Sequence, residues 1–422
     1  MSTEPLHPDQ TAPVADIRRA WVILAIVWAA FAVVILIPGN VVITSHWGDA
    51  LHLVDILDRM SQGQQPHRDF VTPLGEWAFS PISALMAAGL PTGRAYLTAQ
   101  ILLAGGLGAA GLAIALRRLP WVWAVLFACA IVMTTCALVH GRPEFSLSIN
   151  VHYNRWSWAL GFVALLAALL EPDRVRTWEG VVIGAALAGL ALIKITYFVA
   201  FLPLVVLGLA VTGQIRSLIV ALATGAGIAV LLTILWGDDY WQAYLGDLLY
   251  VAGADARPNA GGGVLRMMTG PRMLAPLALV AAAAVVLCQS GGQRKGLLLV
   301  GTFLAGAYVS DQNAGFDPLF LGFLAVLLLV WGRVQSDGRR VALTVISLGL
   351  GVAVAPNLFN LATSPVRAAL ADRSAFVPLV IGSARHQDIL LDRSAALSAG
   401  QSYLGFDGQR AFFGHQPPAP VE

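Results

Sequence analysis

Residues 45–81 read SHWGDALHLVDILDRMSQGQQPHRDFVTPLGEWAFSP and separate the first long apolar run from the rest of the chain. The stretch contains four aspartates, one glutamate, three histidines and two arginines, whereas the sequence on either side is mostly apolar. A polar loop between long apolar runs is typical of a protein whose helices cross a bilayer. We therefore expect residues 45–81 to form the functional loop of a polytopic membrane protein.

The composition of the whole chain agrees with this interpretation. Of its 422 residues, 57% are hydrophobic and only 12% are charged, and the mean hydropathy is +0.73. Soluble domains have about 45–50% apolar and about 25% charged residues, so the bilayer must solvate most of this chain. The net charge of +2 argues against nucleic acid as a partner. The sequence predicts an all-α fold, a polytopic bundle of about 11–13 transmembrane helices.

Twelve apolar runs are candidate crossings, although several are short. They are residues 20–37, 75–90, 95–116, 121–138, 155–171, 179–193, 197–212, 217–236, 273–289, 296–310, 318–332 and 341–355. We expect a disordered cytoplasmic N-terminus over residues 1–19, a transmembrane domain over 20–355 and a small outward C-terminal tail over 356–422.

Basic residues predict which loops are cytoplasmic. The marked positions are Arg18, Arg19, Arg174, Arg176, Arg216, Arg294, Lys295, Arg333, Arg339 and Arg340. The loops 38–74, 237–272 and 311–317 then face outward. An odd number of crossings must separate residue 74 from residue 172, yet four candidate segments lie between them. We expect that one of these four does not cross.

Residues 49–60 predict a short amphipathic helix that lies at the membrane surface. The residues that share one arc at 100° per residue are Ala50, Leu53, Val54, Ile56, Leu57 and Met60. Asp55 and Arg59 face the other way and form a solvated pair that contributes little stability. Asp49, at the helix start, is either a charge that complements the helix dipole or a general base at the membrane face.

A resemblance begins after this helix. The stretch resembles the first periplasmic loop of the GT-C superfamily in four features. These are an acidic residue past the first transmembrane helix, a surface helix, a Gly63-x-x-Pro66-x-x-Asp69-Phe70 turn and the Pro73 entry to the next apolar run. These are integral-membrane glycosyltransferases that use polyprenyl-phosphate sugars, and they include protein O-mannosyltransferases and lipid A aminoarabinose transferases. The part of the chain that matches specifically is about 40 residues long.

The resemblance implies a GT-C-like transmembrane domain in the bacterial inner membrane, with its active site facing the periplasm. Its partners would be a polyprenyl-phosphate sugar donor, an envelope acceptor (lipid, glycan or protein) and membrane lipids. The position that matches the catalytic base is Asp49, and Glu144 is a looser match to a second acid. Many members have two adjacent acids where this chain has Gly48 and Asp49, so the use of a divalent metal stays open.

Candidate residues for binding the donor come from three places. They are His67, Arg68 and Asp69 in the turn, Asn154 and Arg155 in the second polar cluster, and Lys194, Arg257, Arg266 and Arg272 further along. Cationic groups suit a phosphate on which charge develops. Lys194 interrupts an apolar stretch, where it either serves function or extends to the interface. Taken individually, each loop arginine is better explained as a solvated surface residue.

Other classes are less favoured by the sequence. A transporter or lipid flippase would place paired ionisable groups or broken helices at mid-bilayer. An O-antigen ligase or polymerase would depend on a large loop late in the chain. The histidines lack a His-x-x-x-His spacing and the three cysteines lack a Cys-x-x-Cys pair, so the sequence assigns no metal site.

Overall fold

The computed structural model describes residues 13–253, 263–313, 317–379 and 383–392. Fifteen α-helices and three short strands lie in these ranges. The helices are α1 (Val14–Leu36), α2 (Trp47–Ser61), α3 (Ser80–Ala87), α4 (Thr92–Ala115), α5 (Trp121–Cys136), α6 (His152–Leu169), α7 (Thr177–Ile193), α8 (Ile195–Val211), α9 (Ile215–Trp236), α10 (Asp239–Gly253), α11 (Val264–Thr269), α12 (Pro271–Gln289), α13 (Gln293–Gln312), α14 (Leu319–Gly332) and α15 (Asp337–Leu370). The strands are β1 (Val41–Ile43), β2 (Phe376–Pro378) and β3 (Ile389–Asp392). The predicted helical bundle is confirmed.

Five helices, α1, α4, α9, α12 and α15, are long and apolar enough to cross a membrane. Four shorter apolar helices, α5, α7, α8 and α14, pack among them. Large apolar side chains cover the outside of the bundle, where Ile234 and Val352 are each 75% exposed. So much exposed apolar surface is stable in lipid and unfavourable in water. The chain is a membrane protein.

Two glycines on one face of α7 allow that helix to approach α9 closely. A Cβ at Gly180 would lie 2.7 Å from the carbonyl oxygen of Ser217, and one at Gly184 would lie 2.4 Å from that of Ala221. Small residues spaced by four let backbones touch, and van der Waals packing then replaces the hydrophobic effect that is absent between helices in lipid. This contact joins the first half of α7 to the first half of α9.

The segment 75–90 is the one that does not cross. It forms a short 3₁₀ turn followed by α3, which has only 8 residues. A helix of that length rises about 12 Å, well short of the ~30 Å hydrocarbon core. Three helices, α4, α5 and α6, remain between residues 74 and 172, and an odd number is what the predicted placement of the loops requires.

Both predicted ends of the transmembrane domain need correction. Helix α1 begins at Val14, so residues 14–19 are helical and not disordered, and residues 1–12 lie outside the described ranges. Helix α15 continues to Leu370 and contains Pro356 and Pro365, so the predicted boundary at residue 355 falls inside it. Neighbouring helices and local adjustments satisfy the backbone groups that proline frees, so proline does not end a membrane helix.

A small mixed sheet departs from the all-α expectation. Strand β3 lies between β1 and β2 and pairs parallel with β1, with Val41 opposite Ile389, and antiparallel with β2, with Val377 opposite Leu391. The described part of the C-terminal tail is therefore bound to the first loop. The carboxylate of Asp388 also accepts hydrogen bonds from the first amides of α4, at 2.9 Å from Gly93 and 2.8 Å from Arg94.

The predicted amphipathic helix is confirmed as α2. Its buried residues are Ala50, Leu53, Val54, Ile56 and Leu57, as the arc of apolar positions requires. Arg59 donates a hydrogen bond of 2.9 Å to Asp55 on the half-exposed face. The helix packs through its apolar side against the bundle, and its first turn carries Asp49.

Arginines cluster with one glutamate at one end of the bundle, which we call the arginine end (residues 117–118, 173–179 and 212–216). Glu179 is fully buried and accepts hydrogen bonds of 2.6 Å from both Arg117 and Arg118. Arg118 also donates to Gln214 at 3.3 Å. The cluster joins the connections α4–α5, α6–α7 and α8–α9. We call the opposite end of these helices the site end.

Candidate functional site

The two most polar loops of the chain meet at the site end. The rings of His46 and His140 lie 3.9 Å apart between centroids. The backbone amide of Thr44 donates to the carbonyl of Leu147 at 3.0 Å. The start of α2 therefore lies directly on the loop 137–151, although the two are about a hundred residues apart in sequence.

Asp49 is exposed but oriented. Its Oδ2 accepts a hydrogen bond of 2.9 Å from Nδ2 of Asn150, whose own side chain is buried. The Oγ of Ser148 in turn donates to Oδ1 of Asn150, which fixes the direction of the amide. A carboxylate that is held in one direction and still open to solvent is suited to accept a proton from a bound hydroxyl.

The first turn of α6 supplies a buried cation. Arg155 is 1% exposed, and its guanidinium donates to the carbonyl of Val139 and, at 3.3 Å, to the hydroxyl of Tyr96. One turn later, Nε1 of Trp158 donates a hydrogen bond of 2.9 Å to Oδ2 of Asp317. Helix α6 thus links the loop 137–151 to Asp317, which lies two residues before α14.

Lys194 connects α7 to α8 and turns inward. It is the single residue between the two helices and has an extended backbone, with φ −153°. Its ammonium group donates to Oδ1 of Asn154 at 2.9 Å and to Oδ1 of Asn313, and it lies 5.1 Å from the ring centroid of Tyr153. The alternative that Lys194 extends to the interface does not describe this geometry.

Beside the contact between His46 and His140 lies a small cleft that we call the inner pocket. Its lining residues are His140, Gly141, Arg142, Val151, Asn154, Arg155, Asn313 and Asp317. The cleft has room for about one water molecule. Burial lowers the pKa of His140 to about 3, with His46 and Arg155 adding to the effect, so its imidazole is neutral at ordinary pH.

Asp317 is the member of this pocket that sequence reasoning left without a role. It is 7% exposed, and burial raises the pKa of its carboxyl to about 6 despite the hydrogen bond from Trp158 and the nearby cations. Only the polar run 311–317 signalled it in the sequence. Its partners are Trp158, Arg142, Arg155 and Lys194, which come from other parts of the chain.

The turn at 67–69 is engaged by protein partners away from the inner pocket. His67 is buried, and its Nδ1 lies 2.8 Å from Oδ2 of Asp247 on α10. Arg68 donates to Asp239 and to the carbonyl of Trp236, and Asp69 accepts from the amide of Gln65 at 2.6 Å. These contacts attach the first loop to α9 and α10, which is a structural role.

Three more predicted residues are separate from the inner pocket. Glu144 is exposed and does not line the pocket. Its backbone carbonyl accepts a hydrogen bond of 2.7 Å from Nδ2 of Asn360. Arg266 and Arg272 are exposed on α11 and α12. Arg257 lies outside the described residues. From the predicted set, Asn154 and Arg155 line the inner pocket and Lys194 donates to Asn154, while Asp49 is held by Asn150 on the loop that leads into that pocket.

A metal ion has no evident place in this arrangement. Among the described residues, no group of three or more His, Cys, Asp or Glu side chains converges as ligands would. What the site does offer is an exposed, oriented carboxylate, held by a loop that also lines a pocket of cations and amides. This combination can accept a proton from one reactant and stabilise negative charge on another.

Comparison of the chain with family models, with curated proteins and with solved structures gives no match.

Proposed function

We propose that this membrane protein is a glycosyltransferase that moves a sugar from a polyprenyl-phosphate donor to a cell-envelope acceptor. The observation that carries the proposal is the hydrogen bond of 2.9 Å from Asn150 to Asp49, because the residue after Asn150, Val151, lines the inner pocket together with Asn154 and Arg155. The resemblance of residues 45–81 to the GT-C first loop supports the same assignment, in which Asp49 is the base.

The reaction needs two kinds of group, and both are at hand. As the acceptor oxygen forms a bond to the anomeric carbon, its proton passes to Asp49. The bond from the anomeric carbon to the phosphate oxygen breaks, and the electron pair leaves on polyprenyl phosphate. Arg155 and Lys194 are the cations placed to stabilise that developing charge, and an arginine suits the oxygen pair of a phosphate.

The membrane arrangement follows from the basic loops. If α1, α4 to α9 and α12 to α15 all cross, the bundle has eleven crossings, which lies in the predicted range. Placing the arginine end in the cytoplasm agrees with the enrichment of arginine and lysine in cytoplasmic loops. The site end then faces the periplasm of a bacterial inner membrane, where a lipid-linked sugar presents its anomeric carbon at the bilayer surface.

A transporter remains the contrasting proposal. It predicts ionisable pairs near mid-bilayer. The buried charges described above lie instead near helix ends: Arg118 and Glu179 at the arginine end, Arg155 and Lys194 at the site end. This distribution favours chemistry at the membrane surface over transport through the bundle. A ligase or polymerase that depends on a large late loop gains no support from the described residues, because none of those lining the inner pocket lies beyond Asp317.

The test is a transfer assay with purified protein in lipid nanodiscs. A panel of polyprenyl-phosphate sugars serves as donors, and release of polyprenyl phosphate is measured with envelope extract as acceptor. Asp49→Asn should lower the rate by at least about 100-fold, the range for loss of a general base. Asp55→Asn, on the same helix but in a solvated pair with Arg59, is the matched control and should keep the wild-type rate.

Two results would count against the proposal. Full activity of a well-folded Asp49→Asn protein would remove Asp49 as the base. Absence of turnover with every donor in the wild-type protein would remove the glycosyltransferase assignment itself.

A further inference from the structure

The inner pocket carries more positive than negative charge. Arg142 and Arg155 line it, Lys194 lies beside it through Asn154 and Asn313, and Asp317 is its one carboxylate among the described residues. Arg155 is buried, and a buried cation that is not fully compensated is unfavourable by several kcal/mol, so its surroundings favour an added anion. The charge balance therefore points to an anionic ligand.

Three buried polar atoms of the pocket also lack hydrogen-bond partners within the described part of the chain. They are Nε of Arg155, Nε2 of His140 and Oδ1 of Asp317. Buried polar groups in folded proteins are nearly always paired, and a donor left open beside a cleft is a place for a ligand atom. Arg155 is 1% exposed, so its open donor belongs to a built site and not to the surface.

The carboxylate of Asp317 takes up the space that a ligand oxygen would need. A Cβ at Gly141 would lie 2.0 Å from Oδ1 of Asp317, so the carboxylate packs directly on the backbone of the loop. This contact explains why a pocket lined by so many polar groups has room for only about one water molecule.

We propose that Asp317 is an internal counter-ion of the inner pocket, and that a phosphate-bearing ligand binds by replacing its negative charge beside Arg155 and Arg142. The proposal rests on the proposed function for the class of ligand, and it deepens that function by making donor binding dependent on the state of one carboxyl group. Phosphate and carboxylate present similar oxygens to a guanidinium, which makes them natural competitors.

Protonation of Asp317 should then control affinity. The groups that face it are Trp158 and Arg155 from α6, His140 and Arg142 from the loop 137–151, Lys194 between α7 and α8, and Tyr197 from α8. Of these, His140 stays neutral at ordinary pH. The pKa of Asp317 is raised to about 6, so its carboxyl is neutral below that pH and repels an anion above it.

The experiment compares binding to wild-type protein and to Asp317→Asn in nanodiscs between about pH 5 and pH 8. The probes are geranyl phosphate and inorganic phosphate, and geraniol is the uncharged control. Asparagine keeps an acceptor for Nε1 of Trp158 but cannot ionise. The ratio of the two Kd values at each pH cancels the protonation of the probe itself.

The expected ratio of wild-type Kd to variant Kd is near 1 at the acid end and rises up to about 100-fold at the alkaline end, because only the neutral fraction is competent. Tight binding of both phosphates identifies the phosphate group as the recognised chemistry, and binding of geranyl phosphate alone identifies a lipid phosphate. Either result supports the proposal. A ratio that does not change with pH, or a variant that binds more weakly, overturns it.

Two controls keep the result interpretable. Asp311→Asn removes a buried carboxylate on α13 that does not line the pocket, and it should leave the pH dependence unchanged. If Asp317→Asn does not fold, Arg142→Gln should weaken phosphate binding, and an unchanged Kd overturns the proposal. Because binding is measured without turnover, failure here is separate from failure of the transfer assay with Asp49→Asn.

Discussion

The Nδ2 of Asn150 donates a hydrogen bond of 2.9 Å to the Oδ2 of Asp49, and this contact joins the first turn of α2 to the loop that leads into α6. It holds an exposed carboxylate on the loop 137–151, part of which lines the inner pocket. The amide is itself oriented by Ser148, so the pair depends on the fold of the loop 137–151.

Asn150→Ala should lower kcat for sugar transfer by about ten-fold, because a hydrogen bond to a charged group contributes about 1.5 kcal/mol or more. The KM for the donor should stay unchanged, since Asn150 orients the base and does not line the inner pocket. Steady-state kinetics in nanodiscs separate the two parameters. Gln64→Ala, in the same first loop, is the control and should leave both unchanged. A rise in KM with unchanged kcat would contradict the positioning role.

Glu179→Gln should destabilise the protein strongly. The substitution leaves Arg118, which is buried, and Arg117 without their carboxylate, and breaking a buried pair costs about 3–5 kcal/mol. Denaturant unfolding in detergent, followed by tryptophan fluorescence, measures the change. Glu171→Gln, exposed on the same connection, should have little effect, and equal losses for the two variants would show that the arginine end is not held by this pair.

Gly75→Ala should disturb the contact between the first loop and α7. The amide of Gly75 donates to the carbonyl of Ile193 at 3.1 Å, and a Cβ there would lie 2.1 Å from the carbonyl oxygen of Leu192. Its φ of −70° suits any residue, so the effect is purely steric.

We expect Gly75→Ala to lower the free energy of unfolding by about 1–3 kcal/mol, the range for overpacking. Thermal unfolding in detergent checks this value. Gly225→Ala on α9 has open space around its Cβ and should be neutral or slightly stabilising. A Gly75→Ala protein as stable as the wild type would mean that the loop can move away from α7 without loss.

Glu76 should make the protein less stable as pH rises. Burial raises the pKa of its carboxyl to about 7 from an ordinary 4.5, so the folded state binds the proton more tightly than the unfolded state. Stability is then highest below about pH 4.5 for this group, falls between about 4.5 and 7, and stays low above 7.

Glu76→Gln should remove that slope and stabilise the protein at about pH 8. Because Glu76 is partly exposed, solvent screening limits the gain to about 1–2 kcal/mol. Unfolding midpoints of both proteins across the pH range measure it, with the exposed Glu144→Gln as control. Parallel pH curves for wild type and Glu76→Gln would show that this carboxyl does not contribute.

Several features were predictable because they depend on local sequence. The amphipathic arc of residues 49–60 became α2 with the expected buried face, and most apolar runs became helices close to their predicted bounds. The listing of segment 75–90 as a candidate crossing was wrong because helices that cross a membrane and short helices buried among loops have the same apolar composition. The predicted end of the transmembrane domain at residue 355 was wrong because neighbouring helices satisfy the backbone groups that the prolines of α15 leave without a hydrogen bond.

The features of the candidate site also divide into those that local sequence predicts and those that long-range packing decides. Hydropathy and the spacing of polar residues are properties of neighbouring positions, and they sufficed to predict a membrane bundle and to single out Asp49, Arg155 and Lys194. Which polar groups meet is a matter of long-range packing. That packing set Asn150 on Asp49, turned Lys194 inward to Asn154, and bound the 67–69 turn to α9 and α10. Asp317 acquired its place in the inner pocket in the same way, because its partners come from helices and loops that only folding brings together.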